Sequence, residues 1–147
     1  MVKIIHYDGQ IVELRDAYDK AELRLVRACY SDNLDEVKYI IDSHPNIDVN
    51  AAVIHSKSRG NGTPLIVAGS RDIGRVLLEN DADVNVVYDT GSKKITALDS
   101  AYKELTKKRV LTNETIKEQT EEYILFLKEN GAKIYDDLKE EKKRWKN

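Results

Sequence analysis

Short motifs recur along this sequence, and their spacing is the feature that most constrains the fold. The segments TPLIVA (63–68) and TALDSA (96–101) share the pattern T-x-L-x-x-A and start 33 residues apart, and LVRA (25–28) keeps its last four positions. A second motif, DVN, stands at 48–50 and again at 83–85, which is 35 residues later. Because the two motifs alternate along the chain, we predict similar structural units arranged in series.

The segments between these motifs have the periodicity of helices. Apolar residues recur on one helical face from Leu34 to Ile41 and again from Ile116 to Leu127, where Thr112 or Asn113 is the predicted N-cap. The sequence DKAE (19–22) is typical of a capping box ahead of a further helix. We therefore predict a mostly all-α fold in which each unit is two short helices followed by a turn.

The second unit carries the most specific motifs. Thr63-Pro64-Leu65 and Ala82-Asp83-Val84-Asn85 resemble the T-P-L and G-A-D-V-N motifs of ankyrin repeats, whose unit is about 33 residues long. The first unit and the third, which ends in ENGAKI (129–134), match in part, so the resemblance covers about residues 21–133. Asp83 and Asn85 are expected to fix the turn by hydrogen bonds to nearby backbone.

The resemblance implies one domain over 1–147, an ankyrin-type helix-turn-helix solenoid with extended hairpin fingers. Its predicted parts are an N-terminal cap at 1–20, a first repeat with a long finger at 21–62, a second repeat at 63–94, a third repeat with an insertion at 95–134 and a charged tail at 135–147. Leu25, Leu65 and Leu98 are expected to form a buried ladder across the stack, since one helix pair cannot bury both of its faces alone.

Several positions depart from the ankyrin pattern. Asp32 and Asp81 stand where the family has glycine, and the Asp81 site usually needs a positive φ. The second unit is about three residues short between Ala68 and Asn85, so one of its helices should lose most of a turn. The third unit carries an insertion of about 17 residues around 102–119, which should extend one or both of its helices.

Both ends of the chain have features of their own. Two short apolar runs within 3–14 flank Asp8-Gly9, which predicts a β-hairpin that covers the open face of the first unit; an irregular arm with one turn is the alternative. The segment 136–147 predicts a charged helix or a frayed tail. Trp145 within it is either an anchor for a partner protein or a residue that packs on the last helix or is disordered.

The sequence contains no catalytic or metal-binding pattern. His6, His44 and His55 lack the spacing of metal ligands, and the single cysteine, Cys29, lies on an apolar helix face where a buried, inert thiol is expected. The net charge of −2 gives no reason to expect nucleic acid, and no apolar run is long enough for a membrane span. The N-terminus lacks a secretory signal pattern. We therefore predict a cytoplasmic chain that is not an enzyme and holds no cofactor.

The resemblance implies binding to another protein, because stacked repeats present a rigid surface to a partner. The candidate contact residues are Ile54, His55, Lys57, Arg59 and Asn61 in the long finger, Tyr88, Asp89, Lys93 and Lys94 in the next finger, and Arg27, Tyr30, Arg71 and Tyr102 on the inner helices. A chain of three repeats without a second domain favours a stand-alone, monomeric inhibitor or immunity-type protein. The alternatives are an adaptor that joins two proteins and, more remotely, an enzyme with a site in the inserted segment.

Overall fold

Helices dominate the part of the chain that the structure, a computed structural model, describes: the backbone at 2–5, 11–14, 20–52 and 62–145, and the side chains at 21–52 and 62–144. The helices are α1 (Lys20–Tyr30), α2 (Leu34–Ser43), α3 (Pro64–Val67), α4 (Arg71–Glu79), α5 (Ala97–Leu105), α6 (Lys108–Leu111), α7 (Glu114–Glu129) and α8 (Tyr135–Trp145). The strands are β1 (Val2–Ile5), β2 (Ile11–Leu14), β3 (Val87–Asp89) and β4 (Lys94–Ile95). The mostly helical class predicted from the sequence is confirmed.

Six of the helices form two rows. The first row is α1, α3 and α5, in which α3 packs against both neighbours, and the second row is α2, α4 and α7, in which α4 packs against both neighbours. The rows are joined by the pairs α1–α2, α3–α4 and α5–α7. Leu25, Leu65 and Leu98, the predicted ladder, are 0%, 2% and 4% exposed and belong to a single apolar core.

The helices begin where the sequence supplies a capping side chain. The side chains that accept a hydrogen bond from a backbone N–H in the first turn of the following helix are those of Asn33, Thr63, Ser70, Thr96 and Asn113. Of the two predicted N-caps of α7, Thr112 and Asn113, the structure shows Asn113. At α5 the cap is reciprocal, because Asp99 also accepts from the backbone N–H of Thr96.

Two aspartates end helices in the left-handed backbone conformation that glycine usually provides. Asp32 follows α1 with φ of 57°, and Asp81 follows α4 with φ of 72°. After Asp81, the N–H of Ala82 donates to the carbonyl of Leu77 at 3.0 Å, which satisfies a free carbonyl of the last helical turn. Gly131 ends α7 in the same way with φ of 85°, so one type of helix end recurs in all three units.

The second unit has a shortened helix, and the third unit has an added helix and a lengthened one. α3 has four residues, against 11 in α1 and nine in α5, which confirms the missing turn. The insertion forms α6 and the first part of α7, which reaches 16 residues. The expected lengthening is thus found in α7, and α6 is a helix that the sequence pattern did not indicate.

α4 and α7 come close together at Gly74. A Cβ added there would lie 2.9 Å from Cε1 of Phe126 and 3.0 Å from Cε1 of Tyr123. Both distances are shorter than normal packing allows, and both rings belong to the buried core. The absence of a side chain at this position therefore lets α4 lie directly on the aromatic face of α7.

The strands form one sheet in the order β2-β1-β3-β4. β1 and β2 pair antiparallel, with Ile5 opposite Ile11, which confirms the predicted hairpin strands; the turn between them lies outside the described residues. The hairpin was expected over the first unit, but β1 pairs instead with β3, where Ile4 lies opposite Tyr88. β3 belongs to the finger between the second and third units. This pairing satisfies backbone groups that the finger would otherwise leave open at its edge.

Asparagine side chains join each unit to the next. The Oδ1 of Asn50 accepts a hydrogen bond from the N–H of Asp83 at 2.9 Å, and its Nδ2 donates to the carbonyl of Asp81 at 3.4 Å. One unit later, the Oδ1 of Asn85 accepts from the N–H of Lys133 at 2.8 Å, and its Nδ2 donates to the carbonyl of Gly131 at 3.0 Å. The two asparagines therefore make equivalent bridges.

The bridge corrects the role expected of Asn85. Its side chain was expected to bond nearby backbone, but it bonds to the following unit. Asp83 does act locally, because its Oδ1 accepts from the N–H of Asn85 at 2.9 Å. The aspartate of the DVN motif thus shapes the turn, and the asparagine links two units.

We expect Asn85→Ala to lower the free energy of unfolding by about 1–3 kcal/mol, because two backbone groups of the third unit lose their partner. Urea unfolding followed by circular dichroism measures the change. Asn80→Ala is the control, since the Nδ2 of Asn80 donates at 2.8 Å to the carbonyl of Val76 in its own helix and joins no units. A loss for Asn85→Ala no larger than that for Asn80→Ala would contradict the bridging role.

Candidate protein-binding surface

The four-residue length of α3 leaves a cleft between the last turns of α1 and α5. Where a full-length helix would continue, the backbone is already extended at Ala68 and Ser70 before it enters α4. A Cβ added at Gly69 would meet no atom within 4 Å. The cleft has a volume of about 1160 Å³. The missing helical turn of the second unit is therefore open space in the first row.

The insertion in the third unit supplies another wall of this cleft. Val110 of α6 and Ile116 of α7 line it. Gln119 of α7 donates from Nε2 to Oδ2 of Asp32 at 3.2 Å, which ties α7 to the turn after α1. A deletion in one unit and an insertion in the next, far apart in sequence, therefore shape a single feature.

Side chains replace the hydrogen bonds that the missing turn would have made. In a longer α3, the carbonyls of Leu65 and Ile66 would accept from backbone N–H groups four residues later. Instead, the hydroxyl of Tyr123 donates to the carbonyl of Leu65 at 2.7 Å, and the hydroxyl of Ser100 donates to the carbonyl of Ile66 at 3.2 Å. The short helix is thus held by α5 and α7.

Two buried ionisable groups border the cleft. Cys29 is 1% exposed, and burial raises the pKa of its thiol to about 12. The pKa of the Tyr123 hydroxyl is also raised, first by burial and second by the neighbouring Cys29 thiolate. Both groups are uncharged at neutral pH, and the buried position of Cys29 is the one the sequence predicts.

Charged residues surround the opening. The basic residues that line the cleft are Lys93, Lys94, Lys103, Lys107 and Arg109, and the acidic ones are Asp32, Asp99, Glu104 and Asp136. Glu104 pairs with both Lys107, at 2.5 Å, and Arg109, at 2.7 Å. Because this one carboxylate is shared by two cations, the loop between α5 and α6 keeps a net positive charge beside the cleft.

The structure brings three of the predicted contact residues to the cleft. Tyr30, at the end of α1, is 49% exposed and lines it, as do Lys93 from the turn between β3 and β4 and Lys94 at the start of β4. The predicted residues that are exposed elsewhere are Arg27, Arg71, Asp89 and Tyr102. These seven therefore remain accessible to a partner.

Two predicted contact residues are placed differently. Tyr88 is 6% exposed and belongs to the apolar core, so it does not present its side chain to a partner; β3 lies between two other strands and turns one face inward. Arg71 begins α4 and lies in the second row, not in the row of Arg27 and Tyr102. The residues that lie outside the described part are Ile54, His55, Lys57, Arg59 and Asn61, together with the side chain of Trp145.

Sequence reasoning missed three basic residues of the cleft: Lys103, Lys107 and Arg109. All three lie in the segment recognised as an insertion, and the shortening of the second unit was recognised as well. Considering the insertion and the shortening together would have indicated these residues, since an insertion in one unit can fold beside a deletion in its neighbour.

Comparison with known proteins finds no family model that matches this chain and no curated protein that matches it. Across 20–52 and 62–145, no helix combines the length and the apolar character needed to cross a membrane. Among the side chains that the structure describes, no three His, Cys, Asp or Glu residues are grouped to hold a metal ion.

Proposed function

We propose that this chain is a divergent ankyrin-type repeat protein that binds another protein and catalyses no reaction. The repeat assignment is supported by features that recur at equivalent positions. These are the asparagine bridges from Asn50 and Asn85, the helix ends at Asp81 and Gly131, and the buried leucines of the first row. They are the parts of a stack that has to bury its helix faces between neighbouring units.

One observation supports binding in particular: large aromatic side chains are exposed on the first row although the stack does not need them. Tyr30 on α1 is 49% exposed, and Tyr102 on α5 is 39% exposed. Tyrosine gives a large contact area together with a hydrogen-bonding hydroxyl, which makes it frequent at the energetic centre of protein interfaces. We infer that the first row faces the partner.

We propose that binding inhibits the partner, as an immunity-type protein inhibits a toxin or effector. An adaptor is the second candidate, because the second row has exposed apolar residues of its own: Tyr39 on α2 is 60% exposed and Leu125 on α7 is 58% exposed. An adaptor would use both rows, each for a different protein. An inhibitor needs one row only.

The proposed function is tested by capture of partners from the native host with the purified chain, followed by the double variant Tyr30→Ala, Tyr102→Ala. We expect one dominant stoichiometric partner whose Kd rises at least about tenfold in the variant, because these residues have the character of interface hot spots. Isothermal titration calorimetry measures the Kd, and the melting temperature should stay nearly unchanged because both side chains are exposed.

Tyr39→Ala is the control, because Tyr39 is also an exposed tyrosine but lies on the other row. Unchanged affinity in this control, with loss of the partner's own activity on binding, supports the inhibitor. Loss of a second, different partner in Tyr39→Ala supports the adaptor. Failure to capture any stoichiometric partner contradicts protein binding as the function.

A further inference from the structure

We propose that the cleft at Gly69 binds an acidic peptide segment of the partner protein in an extended conformation. The inference rests on the proposed function, because it names where a protein partner inserts and the chemistry of the segment that does so. Three properties of the cleft support it: an unpaired backbone at Gly69 between two extended residues, an excess of basic over acidic residues on its rim, and apolar walls.

Two residues beside the cleft have an extended backbone. Ala68 has φ −66° and ψ 149°, and Ser70 has φ −132° and ψ 146°. Gly69 between them makes no hydrogen bond to any residue in the described part of the chain. Its N–H would have donated to the carbonyl of Leu65 in a longer helix, but the Tyr123 hydroxyl occupies that carbonyl. An extended peptide can pair with the N–H and carbonyl of Gly69, as in the addition of a strand to a sheet edge.

The acidic groups of the cleft are largely engaged by the protein itself. Asp99 accepts from the backbone N–H groups of Thr96 and Tyr135, both at 2.9 Å. The partners of the remaining acidic residues are Gln119 for Asp32, Lys107 and Arg109 for Glu104, and Lys139 for Asp136. Glu104 and Asp136 are thus paired with cations, whereas Asp32 and Asp99 keep their negative charge although their oxygens accept hydrogen bonds. The five basic residues that line the cleft outnumber the four acidic ones.

Acidic side chains do not neutralise all of the basic side chains of the cleft. Lys93, Lys94 and Lys103 line the cleft and make no ion pair within the described residues. Lys107 and Arg109 share one carboxylate, that of Glu104. Complementary charge steers a partner and selects it against partners of the same sign. The rim therefore selects carboxylates, and the partner segment is acidic.

The walls between these charges are apolar. Ile66 and Val67 of α3, Ala101 of α5 and Val110 of α6 line the cleft, and Tyr30 stands half-exposed at its edge. An apolar side chain that enters here contacts these walls and loses part of its exposure to water, as an interface anchor does. The segment that fits is thus an acidic one that also carries apolar or aromatic side chains.

The first test uses three pools of short fluorescein-labelled peptides that share Leu and Tyr at half of their positions. The other positions hold Asp and Glu in the first pool, Lys and Arg in the second, and Ser and Gln in the third. We expect fluorescence anisotropy to show the acidic pool binding at least about tenfold more tightly than the other two, with weaker binding as salt rises. Equal binding of the three pools, or tighter binding of the basic one, overturns the inference.

The second test fills the cleft. Gly69→Leu places a side chain in space that is open, at a position without a positive φ. We expect it to weaken binding of the acidic pool at least about tenfold, since the added side chain occupies the anchor site, while the melting temperature does not fall. Unchanged binding in a folded Gly69→Leu variant overturns the inference.

The third test removes charge without filling the cleft. Lys94→Gln with Lys103→Gln should weaken binding of the acidic pool about threefold to tenfold and reduce its salt dependence. The matched control is Lys38→Gln with Lys128→Gln, because these lysines are also exposed and do not line the cleft. Equal effects of the two pairs would show general charge attraction and overturn the inference.

The inference and the proposed function can fail separately. If the partner captured from the host binds Gly69→Leu as tightly as the unaltered protein, the cleft is not its docking site, although protein binding stands. If no partner is captured at all, the proposed function itself fails.

Discussion

Replacing Leu65 with alanine is expected to lower the free energy of unfolding by about 2–5 kcal/mol, the range for removing a large side chain from a packed core. Leu65 is 2% exposed and lies in the same apolar core as Leu25 and Leu98. It also lies in α3, the shortest helix of the first row. α3 has only four residues and packs against both α1 and α5. The alanine would leave a cavity at the centre of the row.

Chemical unfolding by urea, followed by circular dichroism, measures this loss. Leu111→Ala is the matched control, because Leu111 on α6 is 49% exposed and its removal should change stability by no more than about 0.5 kcal/mol. The two variants remove the same atoms from different environments. A loss below about 1 kcal/mol for Leu65→Ala would contradict a stack held by buried leucines, since core leucines cost more than that.

The helices were predictable because their signals are local. The apolar periodicity from Leu34 to Ile41 and from Ile116 to Leu127 lies within α2 and α7, and the cap Asn113 is adjacent to the helix that it begins. The same holds for the positive φ of Asp81, which is required by the way the helix ends. Each of these features depends on residues a few positions apart.

The features that were not predictable depend on residues far apart in sequence. Tyr88 lies in the apolar core, on a strand that pairs with β1 about 80 residues earlier, and neither feature is visible in the sequence pattern around Tyr88 itself. Asn85 bonds to Lys133 for a similar reason, since the shape of the following unit decides where the side chain finds a partner. The residues adjacent to Tyr88 and Asn85 in the sequence do not indicate the burial of the first or the hydrogen-bond partner of the second.

The cleft was also not predictable from local sequence. Tyr30, Lys93 and Lys94 were found as surface residues, but nothing in their local sequence indicated that they border one cleft. The cleft exists because α3 stops early and because α6 and α7 fold beside the gap. A shortening at one place in the chain and an insertion at another are therefore informative as a pair, because α3 packs on α5 and α5 packs on α7.

The thiol of Cys29 is expected to react with Ellman's reagent more than about hundredfold more slowly than a free thiol near pH 8, because only the thiolate reacts. Its pKa is raised by burial to about 12, and each unit of pKa lowers the thiolate fraction about tenfold. Stopped-flow absorbance measures the rate. In denaturing guanidinium the same chain should react rapidly with one equivalent, since it has a single cysteine.

The raised pKa also sets the sign of the pH dependence. The protonated thiol is favoured in the folded state, so its contribution is fully present below the unfolded pKa, about 8.5, and is lost as pH rises toward the folded value of about 12. In that window the stability difference between the unaltered chain and Cys29→Ala should fall by about 1.4 kcal/mol per pH unit. Because both chains share every other titrating group, the difference isolates the thiol. A pH-independent difference, or rapid reaction of the native thiol, would show that the Cys29 wall of the cleft opens to water.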